Sequence, residues 1–109
     1  MATKEALEKA GVWSRIQSRL VYLPNVQRAL EAAELGHADV AVTSLSLVIA
    51  HDGVHVELDP DTYRPLDQAL VLCGHGHNLD GARRFTAFVT SPEGRAVMQR
   101  YGYAEPSTK

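Results

Sequence analysis

The feature that most constrains this chain is an alternation of helix-period segments with short apolar triplets. Leu20-Val21-Tyr22, Val40-Ala41-Val42 and Leu70-Val71-Leu72 are too short for helices and predict buried strands. Val54, Val56 and Leu58 alternate with His55 and Glu57, the pattern of a half-exposed strand. Between them lie segments of helical spacing. Thr3 to Ala10 places Lys4/Glu8 and Glu5/Lys9 at i,i+4, with Ala6, Leu7 and Ala10 as the inner stripe and Gly11 as the stop. Asn25 is the expected N-cap of a helix carrying Val26, Ala29, Leu30 and Ala33, ended by Gly36. Leu45 to Ala50 predicts a short helix or turn. Two helices close the chain. One carries Ala82, Phe85, Phe88 and Val89; the other opens on Ser91-Pro92-Glu93 and is expected to bury Val97, Met98 and Tyr101. The order α-β-α-β-α-β-β-α-α points to the α/β class, with a short, mainly parallel sheet flanked by helices and two C-terminal helices.

Length and composition narrow the function classes. At 109 residues there is room for a real core. A net charge of −2 supplies no basic field for nucleic acid or an anionic membrane. The longest apolar stretch, Leu45 to Ala50, is broken by Ser46 and falls far short of the ~20 residues of a membrane span. The opening MATKEALEKAG has no apolar h-region and does not read as a signal peptide. Cys73 stands alone, which rules out an internal disulfide, and its setting predicts a buried strand residue rather than a nucleophile. From Asp59 to Pro65 the prolines Pro60 and Pro65 forbid continuous helix or strand, so this is an irregular crossing. The polar end, Glu105 to Lys109, is expected to fray.

Two places carry candidate chemistry. Leu20 to Val26 runs from a strand through a tight turn into a helix start, where unpaired backbone N–H groups and the helix dipole favour an anion. The same arrangement is common in α/β proteins that bind nothing there. Thr43-Ser44-Leu45-Ser46 follows the second strand, where open α/β sheets bind ligands, and its hydroxyls donate hydrogen bonds without adding charge. Capping of the following helix is the competing role for Ser44. No glycine elbow surrounds Ser44, which argues against a serine nucleophile. His75-Gly76-His77 lacks an acidic or cysteine partner at ligand spacing, and Asp59, Asp61 and Asp67 lack the glycine and terminal glutamate of a calcium loop. No metal, cofactor or enzymatic chemistry is expected. Trp13, Tyr101 and Tyr103 are expected in core or rim packing rather than base stacking.

Three stretches in order carry a resemblance. ATKEALEKAGVWSRIQSRLVY, NVQRALEAAELGHADVAVTSLSLV and SPEGRAVMQRYGY together resemble the C-terminal half of the periplasmic molybdate-binding receptors of ABC transporters, which are type II periplasmic binding proteins. The resemblance implies two α/β lobes closing on a tetrahedral dianion, molybdate or tungstate, held by neutral hydrogen-bond donors. It implies an ABC transporter permease as partner and a periplasmic location for the full-length family. Asn25, Val26 and Ser44 become the ligand-binding candidates, with the Val26 N–H donating to the anion. This chain has Leu23 where the family usually has glycine, Pro24 where it has an acidic or polar residue, and Ser44 where some members have tyrosine. The implied division is 1–58 as part of the second lobe, 59–69 as the hinge crossing, 70–103 as the return to the first lobe, and 104–109 as a tail. It also implies that the first lobe's donors are missing from this chain. The expectation is a C-terminal fragment, from an internal start or a truncated gene product, unable to hold its oxyanion alone and able to pair with a second copy by helix exchange. A receptor-like fragment for another small oxyanion, or a sensor, is the alternative.

Overall fold

A computed structural model describes residues 1–51 and 53–106. It divides into two compact units, Met1–Leu66 and Asp67–Lys109. In the first unit, α1 spans Ala2–Lys9, α2 Trp13–Ile16, α3 Val26–Glu34 and α4 Leu45–Val48. Short 3-10 turns cover Gln17–Arg19 and Pro60–Thr62. The second unit holds α5, Leu79–Thr90, and α6, Pro92–Arg100.

The helices fall where the periodicity puts them, and local chemistry explains their ends. Gly11 and Gly36 take φ of 70° and 74°, a left-handed conformation that ends α1 and α3 with little steric cost. Across the turn at Gly11, the Lys4 ammonium lies 5.3 Å from the centre of the Trp13 ring, a cation–π contact that seats α2 against α1. Trp13 is half-buried there, and Ala6, on the inner stripe of α1, is 5% exposed. The segment Trp13–Arg19, which carries no clear period, is helical as well.

No strand forms among the described residues, so the expected sheet is not seen in this chain. All four apolar segments run without ladder partners, with Val21 73% and Val40 79% exposed. A strand's backbone groups are satisfied only by a neighbour, and a three-residue strand offers one or two ladder bonds at most. Cys73 is exposed, not buried in a strand. Tyr101, Tyr103, Val97 and Met98 are exposed rather than packed in a core, and so are Phe85 and Phe88 on α5. The total accessible surface is 9304 Å². Two independently folded units of this combined size would expose about 7,000 Å². The helices have formed, but much of the apolar surface they should cover is open to solvent.

The best-packed place in the second unit is the corner between α5 and α6. Ser91 serves both helices: its hydroxyl donates to the Phe88 carbonyl at 2.6 Å and accepts from the Gly94 N–H at 3.2 Å. Pro92 follows as the first helical residue. Arg95 Nε donates to the Thr90 carbonyl at 3.1 Å and closes the corner from the other side. Gly94 is buried, and a Cβ there would stand 2.0 Å from the Phe88 carbonyl oxygen and 2.7 Å from that of Val89. Of the expected frayed tail, Glu105 is tied back by Arg95 at 3.5 Å, and residues 107–109 lie outside the described residues. Gly94→Ala is therefore expected to force the two helices apart at a cost of about 1–3 kcal/mol. Circular dichroism should show loss of helical signal and a lower melting temperature in this variant.

Candidate functional site

The site is assembled from the start of α3 and the segment entering α4. Asn25 has the extended backbone of an N-cap, φ −156° and ψ 169°, and its Oδ1 accepts from the Arg28 N–H at 2.9 Å. That bond leaves the N–H groups of Val26 and Gln27, the first two of the helix, without a protein acceptor among the described residues. Val26 itself is 49% exposed. Asn25 acts through its cap: its side-chain oxygen holds the third N–H and frees the first two.

The expected second half of the site stands beside the first. Thr43 Oγ1 donates to the Val26 carbonyl at 2.7 Å, across seventeen positions of sequence. Ser44, next in the chain, occupies the N-cap position of α4 with φ −84° and ψ 142°, yet its side chain makes no capping bond. Its hydroxyl instead lies 3.1 Å from that of Ser46, and its carbonyl accepts from the Leu47 N–H at 3.1 Å. The competing role of Ser44, helix capping by its hydroxyl, is therefore not the one the geometry uses. A second brace lies at the far ends of the same helices. His51 Nδ1 is 2.6 Å from the Leu47 carbonyl, and Nε2 is 3.4 Å from Glu34 at the end of α3. Thr43 and His51 thus tie the segments before and after α4 to the two ends of α3.

The electrostatics are those of neutral donors. The Arg28 guanidinium, the cation on the first turn of α3, faces Glu31 at 2.8 Å and is neutralised locally. What faces outward from the helix start is backbone N–H, assisted by the positive end of the helix dipole. Leu23 and Pro24 line a shallow hollow of about 350 Å³ with Arg28, Ala32, Leu35 and His37 along the flank of α3. The other candidates do not converge on a site. His75 and His77 are exposed, and the described residues contain no group of three or more side chains able to hold a metal ion. Asp59 accepts from the Asp61 N–H at 2.9 Å and so shapes the 3-10 turn.

The role of Thr43 was not visible as such in the sequence. A hydroxyl after an apolar triplet marks it as a possible donor, but its acceptor is a backbone carbonyl in another element.

The candidate site is thus a helix start whose first two N–H groups have no acceptor among the described residues, with Thr43 bonded beside it. Residues 1–104 match the bacterial extracellular solute-binding protein family, and the chain belongs to it. That family is one of solute-binding proteins, not of enzymes. The chain is 31% identical over 103 residues to the molybdate-binding protein ModA of Rhodobacter capsulatus, covering 94% of this chain and 41% of that one. It is 26% identical over 102 residues to a putative ABC transporter substrate-binding lipoprotein, YvgL, of Bacillus subtilis (strain 168), covering 92% and 39%. The molybdate-binding protein ModA of Escherichia coli (strain K12) is also 26% identical, over 102 residues, with the same shares of the two chains covered. The chain thus spans about two fifths of the length of these relatives. No solved structure matches it.

Thr43→Val should cost about 0.5–1.5 kcal/mol by removing the hydroxyl while keeping the shape, and Thr43→Ser should keep most of the stability. Chemical denaturation will compare them, and the carbonyl ¹³C resonance of Val26 is expected to move in the Val variant and stay in the Ser variant.

Proposed function

We propose that this chain supplies one share of the oxyanion site of a molybdate or tungstate receptor serving an ABC transporter. The observation that carries this reading is the juxtaposition at Val26. Two helix N–H groups without protein acceptors among the described residues sit where Thr43 fastens the next segment, in a chain of the solute-binding family with molybdate-binding relatives. A tetrahedral dianion takes several hydrogen bonds at once, and neutral donors satisfy it without forming a contact pair that resists release. In this reading the Val26 N–H donates to the anion, Ser44 offers its hydroxyl, and Asn25 holds the helix start in shape.

Residues 1–58 then belong to one lobe of a type II fold, 59–69 to the crossing, and 70–103 to the return into the other lobe. The four apolar segments pair into the sheet once the remaining strands of the fold lie beside them. The remaining donors come from the other lobe, and a permease receives the anion; the working place of the full receptor is the periplasm. In isolation, two copies cover each other by exchanging α5 and α6. The isolated chain holds the anion poorly because an open site only replaces hydrogen bonds to water.

Titration calorimetry with molybdate, tungstate, sulfate and phosphate tests this reading. The chain alone should bind each more weakly than about 1 µM, a gain of about 8 kcal/mol. Tighter binding by a monomeric chain would contradict the shared site. In a two-lobed receptor carrying this sequence, Val26→Pro removes one donor at a position where proline is tolerated. Molybdate affinity should fall roughly 10- to 150-fold, the worth of one hydrogen bond to a charged group, whereas Val26→Ala should bind almost normally. Equal affinity of the Pro variant and the wild type would remove the start of α3 from the site.

A further inference from the structure

We propose that Glu5 is an acid-released clamp that fastens the turn at residues 59–64 to α1. The two parts are far apart in sequence and meet through one carboxylate. Glu5 Oε2 accepts from the Arg64 backbone N–H at 2.9 Å, and Oε1 accepts from Arg64 Nε at 3.2 Å and Nη2 at 3.0 Å. One helical turn further along α1, the Lys9 ammonium donates to the Asp61 carbonyl. Positions i and i+4 lie on one face of a helix, so α1 grips the turn at two places on the same side.

The gripped segment is shaped before it is held. Pro60 opens the turn, Asp59 accepts from the Asp61 N–H, and Thr62 Oγ1 donates back to the Asp59 carbonyl at 2.6 Å. Arg64 precedes Pro65, which restricts its backbone to extended conformations. An extended, preset Arg64 presents its N–H and its guanidinium to the same carboxylate, a forked arrangement that a lone surface ion pair lacks. The clamp lies two residues before Leu66, where the first unit ends. It fixes the point from which the chain leaves that unit, and nothing in it depends on the anion reading.

The charge on Glu5 is what closes the clamp. The Arg64 backbone N–H and then its guanidinium hold the Glu5 carboxyl below the usual glutamate value. Facing it are also the Met1 amino group at 3.9 Å and, around the same open hollow, Glu8, Lys9, Asp61 and Tyr63. Lys4 pairs with Glu8 at 3.6 Å rather than with Glu5. Because the folded value is lowered, the clamp is fully present above the usual glutamate range and is lost as pH falls through the lowered value. Protonation removes the charge and turns one acceptor oxygen into a donor that faces other donors.

Amide exchange on the ¹⁵N-labelled full chain tests the proposal. At about neutral pH, Glu5→Gln and Glu5→Ala are expected to speed exchange of the Arg64 N–H roughly three- to fivefold, as for an exposed charged pair. Glu8→Gln, which leaves the clamp intact, is expected to change it little. In a second readout, Arg64→Ala is expected to raise the titration midpoint of the Glu5 carboxyl carbon toward the usual glutamate value. This arm stands even where a Glu5 variant weakens α1, because Arg64 is an exposed turn residue. An Arg64 N–H that exchanges equally fast in the wild type and Glu5→Ala would overturn the clamp. So would a Glu5 midpoint unmoved by Arg64→Ala.

Discussion

Apolar surface that a folded chain cannot cover is the constraint on which the rest of this structure depends. Helices form from local patterns, caps and i,i+4 pairs, but most helical stability in proteins comes from burying one face. Here α3, α5 and α6 have well-made ends and clear amphipathic faces, and the apolar triplets that should lie under such faces run exposed. An exposed Val40 or Val71 costs little by itself. Many together, on segments with unpaired backbone edges, make a surface that favours association. A sheet would cover both the side chains and the backbone at once, which is why the proposed two-lobed fold relieves both needs with the same contacts.

The candidate site is shaped by local hydrogen bonds rather than by burial. The start of α3 is held by the Asn25 side chain, and its first carbonyl by Thr43, so the unpaired N–H groups of Val26 and Gln27 are fixed by bonds made within one unit. His51, after α4, lies 3.4 Å from Glu34 at the end of α3. Preformed donors of this kind lose little freedom when an anion arrives. Their strength depends on excluding water, and at 49% exposure Val26 is not shielded by this chain. Shape and shielding are therefore separate contributions, and this chain supplies the first.

What could be read from the sequence follows the distance over which each feature is decided. Asn25, Gly36 and the Ser91-Pro92-Glu93 start act on their own helix ends, so spacing alone located them, and the structure bears out all three. The three-residue strands are decided by neighbours elsewhere, and apolar character could suggest but not supply those neighbours. Cys73 follows Leu70-Val71-Leu72, and with no strand formed there it is exposed rather than buried. Thr43 to Val26 and Glu5 to Arg64 join distant positions, and no local pattern marks either pair. Family membership was legible because it rests on many weak matches in a fixed order rather than on any one contact.

The exposed apolar residues of this chain make a surface that favours association. Light scattering across a wide concentration range measures this directly on the purified chain. The account predicts association that grows with concentration, through at least a dimer. It also predicts that association weakens when Phe85 and Phe88, half or more exposed on α5, are both replaced by serine. A clean monomer at every concentration, with the cooperative unfolding of a well-packed protein, would contradict it.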